Sequence, residues 1–156
     1  MPGLLHPGGG CVMAFSNYKT QVLRASAVTS GASEQDTAVI VLQTAQGGFF
    51  VRVQKTAEAN ADNLLTVRLQ AHVNAADWVD VPHNFSQLLG AVATAADTAA
   101  DVTRSPNITP DAETRATFTY LAFYEALPSK TVRIASVSSG TAVVNTFEAD
   151  ITYRVV

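Results

Sequence analysis

Three histidines, one cysteine and a short acidic cluster are the residues of this 156-residue chain with the widest chemical repertoire. Asp77, Asp80 and His83 form the one place where metal-ligating types fall close together. A calcium site needs several oxygens on a dedicated loop, and a zinc site needs at least three aimed ligands. Asp77 and Asp80 lie in a stretch read as extended and odd-numbered apart, so their side chains point to opposite faces. Solvated turn residues are the reading adopted, with no metal site. Acyl transfer would need a positioned Ser or Cys, a His base and an orienting carboxylate. His6 falls in a loose leader, His72 on the polar side of a strand and His83 just after Pro82, and the sequence has no Gly-x-Ser-x-Gly elbow. Cys11 follows Gly8, Gly9 and Gly10, a setting that does not fix a nucleophile. Trp78 reads as a core aromatic and not as a sugar-stacking platform, because no second aromatic stands at a matching spacing. With no phosphate loop or dinucleotide fingerprint either, the chain is read as a non-enzyme: no catalytic residue, no cofactor and no metal.

The elements that carry these residues are extended. Leu65, Val67, Leu69, Ala71 and Val73 alternate with Thr66, Arg68, Gln70 and His72, which predicts a strand with one wet face. Asn74 to Asp77 break the alternation, and Trp78-Val79-Asp80-Val81 resumes it before Pro82, so residues 64–81 read as a hairpin. Residues 21–28 (QVLRASAV) are extended, followed by a polar turn cluster over 29–36. Residues 38–43 (AVIVLQ) are β-branched on both faces and are expected to be central and covered on both sides. Gln46-Gly47-Gly48 reads as a hairpin joining that strand to residues 49–54 in one sheet, and 55–63 as a polar link. Residues 85–89 read as a short strand. Residues 90–101 carry Ala-driven helix propensity without an apolar stripe, so a short Ala-rich helix or a long loop is expected there. Asn107-Ile108-Thr109 matches a glycosylation acceptor and, without a secretory signal, is a chance tripeptide.

The last third is again β. Ala116, Phe118, Tyr120, Ala122 and Tyr124 share a face, and residues 131–137 and 143–155 follow, separated by Ser138-Ser139-Gly140. Phe147, Ala149, Ile151, Tyr153 and Val155 give the cleanest alternation in the chain. The fold class expected is all-β: an antiparallel β-sandwich or jelly-roll-like domain of about eight strands.

Composition limits the partners. The length suits one domain, taken as 16–156 with an extended arm over 1–15. Ten Lys and Arg against thirteen Asp and Glu give a net charge of −3, with the cations scattered singly. A nucleic-acid groove needs a basic stripe, so nucleic acid is not an expected partner. No apolar run approaches the ~18 residues of a membrane-spanning helix, and the leader lacks the basic and apolar regions of a signal peptide. Charged residues make up 15%, against a typical share of about 25%. Such a low share suits a protein covered by neighbours, and equally an Ala-rich bacterial or phage protein. One cysteine excludes an internal disulfide. In the arm, Leu4, Leu5, Val12, Met13 and Phe15 are the groups able to dock on a neighbouring subunit, the alternative being an arm folded back on its own domain.

The order of these patterns resembles a known group. The stretch LLTVRLQAHVNAADWVDVP runs from Leu-x-Val-x-Leu-Gln through a turn to a Trp and Asp-Val-Pro. LPSKTVRIASVSSGTAVVNTFEADITYRV carries Leu127-Pro128, Val132-Arg133-Ile134, Ser139-Gly140-Thr141 and a long final strand. Over residues 20–156 this resembles the small β-sandwich virion proteins of tailed bacteriophages, of the capsid decoration or cement type. The resemblance implies a non-enzymatic protein on the exterior of the virion head, assembled in the host cytoplasm. It also implies a trimer or dimer whose partner is the major capsid protein. The arm and the Ala-rich stretch fall outside the pattern. A tail or head-tail connector protein, or a carbohydrate-binding β-sandwich module, are the alternatives.

Overall fold

A computed structural model describes residues 17–30, 35–37, 39–43, 45–56, 64–74, 77–89, 102–109, 117–139 and 144–155. The arm and the Ala-rich stretch at 90–101 lie outside the described residues. The described residues form eleven strands: β1 (Tyr18–Ser30), β2 (Gln35–Asp36), β3 (Ile40–Val41), β4 (Ala45–Lys55), β5 (Leu64–His72), β6 (Trp78–Asp80), β7 (Phe85–Leu89), β8 (Val102–Thr103), β9 (Phe118–Tyr124), β10 (Thr131–Ser139) and β11 (Val144–Val155). Eight of them are longer than two residues, and no helix occurs among the described residues.

The strands form two antiparallel sheets. The larger has the order β1-β11-β4-β9-β7-β8; in the smaller, β6 pairs β5, β5 pairs β10, and the short β2 and β3 both pair β10. Alternation dictates what lies between the sheets. From the larger come Phe49, Val51 and Val53 of β4, Phe118, Tyr120, Ala122 and Tyr124 of β9, and Phe147, Ala149, Ile151 and Tyr153 of β11. From the smaller come Leu65, Val67, Leu69 and Ala71 of β5 with Val132 and Ile134 of β10. Two aligned sheets with interdigitating inner faces are a β-sandwich. Polar ties cross the gap: Asn145 Nδ2 of β11 donates to the Leu64 carbonyl of β5 at 2.8 Å. The Tyr153 hydroxyl bonds Gln21 of β1 and accepts from the Gln43 amide, so a buried phenol has both its roles filled.

Several expectations require correction. Residues 38–43 are not a central strand. Among the described residues of this run, Ile40 and Val41 are the two in a ladder, at the margin of β10; Val39 and Val41 are 53% and 56% exposed, while Leu42 is buried. A β-branched run records a preference for extended backbone, and here the sheet supplies a neighbour on one side only. Gly47 and Gly48 are not a hairpin between two strands of one sheet, since β3 belongs to the smaller sheet and β4 to the larger. They form a bulge inside β4: Tyr153 pairs Phe49, the next residue Arg154 pairs Gln46, and the two glycines are extra. Gly48 has φ +88°, and a side chain on Gly47 would meet the Glu125 carbonyl at 2.9 Å. Lys55 belongs to β4 and is buried, with its Nζ 5.8 Å from the Phe118 ring centroid. Gln35 and Asp36, expected in a turn, pair with β10, and Ser138 and Ser139 continue β10 instead of ending it.

The chance tripeptide is a structural plug. Beyond β6, the free edge of β5 is taken by residues 107–109: Ile108 N donates to Val67 O at 2.7 Å, and Arg68 bridges Asn107. Thr109 Oγ1 donates to Leu65 O and accepts from Val67 N at 3.1 Å, so one hydroxyl closes two ladder positions. Ile108 and Thr109 are both fully buried.

Candidate functional site

Among the described residues, those with reactive side chains do not converge. Asp77 serves its own turn, accepting from Asn74 Nδ2 at 2.6 Å while its amide donates to Asn74 Oδ1 at 3.2 Å. Asp80 points outward from β6 and accepts from Gln70 Nε2 at 2.8 Å, with Arg68 Nη1 at 3.4 Å. His83 points inward and is buried. Its Nε2–H donates to the Asn107 carbonyl at 2.9 Å, its ring meets Tyr124 edge-on at 6.2 Å, and its Nδ1 has no partner. Burial lowers the His83 pKa and pushes that of Tyr124 up, so both are neutral side chains at neutral pH. Among the described residues no group of three His, Cys, Asp or Glu side chains is placed to hold a metal. His6, Cys11 and the arm residues Leu4, Leu5, Val12, Met13 and Phe15 lie outside the described residues.

Trp78 corrects the expectation of a core aromatic. It stands half-buried on the outer face of the smaller sheet, opposite His72 in the β5–β6 register. The His72 ring stacks on it at 4.8 Å, and the Arg133 guanidinium lies 4.3 Å from its centroid. Arg133 Nε in turn donates to Gln70 Oε1 at 2.8 Å, which completes a chain through Gln70 to Asp80. An indole engaged by an imidazole and a guanidinium does not offer the open face on which a sugar stacks. The outer face of this sheet satisfies its own polar groups.

On the outer face of the larger sheet, β1 carries the exposed Tyr18, Val22 and Val28. Across β11 and β4 the face is polar at Asp150 and Arg52. Arg52 of β4 donates to Asp150 Oδ2 through Nε at 3.0 Å and Nη2 at 2.7 Å, to Glu148 Oε1 at 3.0 Å and to Gln54 Oε1 at 2.7 Å. The hydrogen bond to Asp150 does most to raise the Arg52 pKa, so the guanidinium stays charged and spent within the face. Beside it Thr20 and Thr152 share a hydroxyl hydrogen bond of 2.8 Å.

From β4 to β7 the same face carries an aromatic row. Register places Phe50 of β4 opposite Phe123 of β9, and Phe123 opposite Phe85 of β7. The three rings touch in sequence, with centroids 5.1 Å apart for Phe50–Phe123 and 5.6 Å for Phe123–Phe85. Phe50 is 37% and Phe85 44% exposed. Leu121 lies in the next row, between Arg52 and Gln87, and Leu89, 40% exposed, in the row after, beside Thr119. Single exposed apolar residues are ordinary on any protein, whereas three phenyl rings in one row with two leucines nearby make this the candidate contact surface. The sequence reading missed it, although a signal was present: alternation assigns Leu121 and Phe123 of β9 and Phe85 and Leu89 of β7 to the face that should be wet.

No protein-family profile matches the chain, and no curated protein does. The structure superposes on VP2 from the subviral particle of infectious bursal disease virus with a TM-score of 0.50, covering 88% of this chain and 33% of VP2 at 8% identity. The two share a β-sandwich fold, and the chain spans about a third of the VP2 length. Looser superpositions involve the K3 cleaved adhesin domain of Lys-gingipain from Porphyromonas gingivalis and the capsid asymmetric unit of cyanophage Pam1. The first has a TM-score of 0.36 at 12% identity over 86% of this chain and 72% of that one. The second has a TM-score of 0.31 at 13% identity over 90% of this chain and 87% of that one.

Proposed function

We propose that this chain is a non-enzymatic structural protein of a tailed-bacteriophage virion, a capsid decoration or cement protein that bridges major capsid protein subunits on the exterior of the head. The observation that carries the reading is the aromatic row Phe50–Phe123–Phe85 on the outer face of a sandwich whose interior is already filled. Apolar area left in water in that arrangement is area available to a partner, at roughly 25 cal/mol per Å² once covered. The sandwich shared with VP2 of a subviral particle supports the reading, as does the order of strand patterns in the sequence. A cement protein also needs a rigid body that stays soluble before docking. Here the polar part of the same sheet, with Arg52 neutralised by Asp150 and Glu148, holds its charges in place without asking a partner to desolvate them.

In this reading the sandwich, residues 16–156, lies on the shell, and the arm, residues 1–15, reaches a neighbour through Leu4, Leu5, Val12, Met13 and Phe15. Several weak contacts made at once through one rigid body add by effective concentration, so modest faces suffice. The protein is a homo-oligomer, trimer or dimer, and assembles on heads in the host cytoplasm.

The test is add-back to purified heads that lack the protein, with occupancy read by cryo-electron microscopy. The full chain decorates the head exterior; a chain lacking residues 1–15 stays folded and does not. Density confined to the tail or connector, or full occupancy by the truncated chain, overturns the assignment or the role of the arm respectively.

A further inference from the structure

Strand β1 ends the larger sheet, and of the described strands it is laddered with β11 alone. Val155 N donates to Asn17 O at 2.7 Å, and the register continues with Lys19 opposite Tyr153 and Gln21 opposite Ile151. Backbone groups alternate in direction along an antiparallel strand. Asn17, Lys19 and Gln21 therefore turn theirs to β11, while Tyr18, Thr20 and Val22 turn their N–H and C=O outward along the edge of the sheet. The side chains beside those groups are open as well, Tyr18 being 56% and Val22 61% exposed. Register shifts between Val22 and Arg24 and between Arg24 and Ala27 end the regular stretch, so Tyr18 to Val22 is the part of the edge able to extend a ladder. The opposite end of the same sheet, β8, is two residues long, and in the smaller sheet the outermost strands β2 and β6 have two and three.

We propose that Tyr18 to Val22 of one copy pairs antiparallel with the same stretch of a second copy about a two-fold axis at Thr20, joining the two larger sheets into one. The stretch is its own complement in that register. Tyr18 stands opposite Val22, Lys19 opposite Gln21 and Thr20 opposite Thr20. An aromatic against a β-branched residue and Thr against Thr are favourable cross-strand pairs. Tyr18, Thr20 and Val22 each exchange both backbone bonds with their counterparts, which satisfies every outward N–H and C=O of the stretch. The neighbouring registers fail. Centring on Lys19 sets two ammonium groups against each other, and centring on Gln21 carries Leu23 and Arg24 into the ladder, where β1 is irregular. A second copy thus supplies the complement that this edge selects. The contact is isologous, and because β8 offers no comparable edge it closes as a dimer instead of continuing as a fibre. Paired residues point to one side, so the Phe50–Phe123–Phe85 rows of both copies share one continuous outer face. The contact goes beyond the virion reading by giving the homo-oligomer a surface and an order, and it is tested in free solution with no heads present, which keeps its failure separate from failure of that assignment.

The experiment is sedimentation velocity on full-length chains over about 10 to 500 μM, a range that brackets the affinity of a small interface. The unmodified chain passes from monomer to dimer within it. Tyr18→Lys combined with Val22→Lys sets like charges opposite each other at both ends of the ladder and weakens dimerisation on the order of tenfold, with unaltered circular dichroism. Tyr18→Glu combined with Val22→Lys restores the dimer at low salt, because residue 18 of each copy faces residue 22 of the other. Within one chain the two positions are about 13 Å apart and do not pair. Thr20→Pro removes an outward N–H and no bond to β11, and it replaces the Lys–Lys variant if that chain loses cooperative melting. A monomeric unmodified chain, an oligomer that neither the Lys–Lys variant nor Thr20→Pro weakens, or a Glu–Lys variant no tighter than the Lys–Lys one overturns the proposal.

Discussion

His83 shows how much a single buried side chain can hold. Its Nε2–H fastens the 105–109 segment to the turn between the sheets, and the His83 amide donates to the Ser105 carbonyl at 3.0 Å, so the two stretches are tied twice. Burial lowers its pKa below the ordinary 6.5. As pH falls, the unfolded chain takes up this proton before the folded one does. Folding stability therefore drops from about pH 6.5 downward and levels off below the folded-state value. Urea unfolding at pH 7.5 and pH 5.0 should show this loss, and His83→Gln should flatten the part of the slope that His83 contributes. Thr109 acts on the same plug through its hydroxyl. Thr109→Val keeps the shape and removes both hydrogen bonds, leaving Leu65 O and Val67 N unpaired in the core, at a cost of about 1–3 kcal/mol for each group that water cannot reach. Equal denaturation midpoints for Thr109→Val and the unmodified chain would show that the plug does not hold β5.

At the scale of the element, the bulge in β4 decides where the aromatic row lies. Gly47 and Gly48 insert two residues between Gln46 and Phe49, and beyond them the register with β9 sets Phe50 opposite Phe123. Gly48 occupies a left-handed backbone at φ +88° and donates its amide to the Glu125 carbonyl at 3.0 Å. Gly48→Ala should cost on the order of 1–2 kcal/mol in thermal or urea melts, since the Cβ strains that conformation. Gly47→Ala adds a direct clash with the same carbonyl. Strand β1 shows a second device of this kind, with register shifts between Val22 and Arg24 and between Arg24 and Ala27. These irregularities bend a thirteen-residue edge strand carrying the exposed Tyr18, Val22 and Val28, and so limit unguided edge-to-edge pairing along it.

For the molecule as a whole, the filled interior between two sheets is what makes the outer face available for work. If the arm reaches a neighbour as proposed, removing residues 1–15 leaves the far-ultraviolet spectrum and the melting temperature within about 2 °C of the full chain, which calorimetry checks. A larger fall would mean that the arm packs on its own sandwich and would count against its docking on a neighbour.

The sequence by itself determined the layered β architecture and the orientation of its strongest strands. In β5, in β9 and in β11 from Phe147 onward every second residue is apolar, and a period of two has one solution when one face meets water and the other a core. The hairpin read over residues 64–81 was legible for the same reason, reinforced by a short connection, and β5 pairs β6 there. What the tertiary structure alone decided is which strands became neighbours. The β-branched run around Ile40 went to a sheet margin, Trp78 went to an outer face between His72 and Arg133, and Ile108-Thr109 became the cover of β5. The candidate surface belongs to this second class: Phe50, Phe85 and Phe123 sit on three strands far apart in the chain, and long-range pairing through the β4 bulge sets them in one row. Local patterning fixes which way a side chain points, whereas the partner it meets depends on register between distant segments, and no local period encodes that.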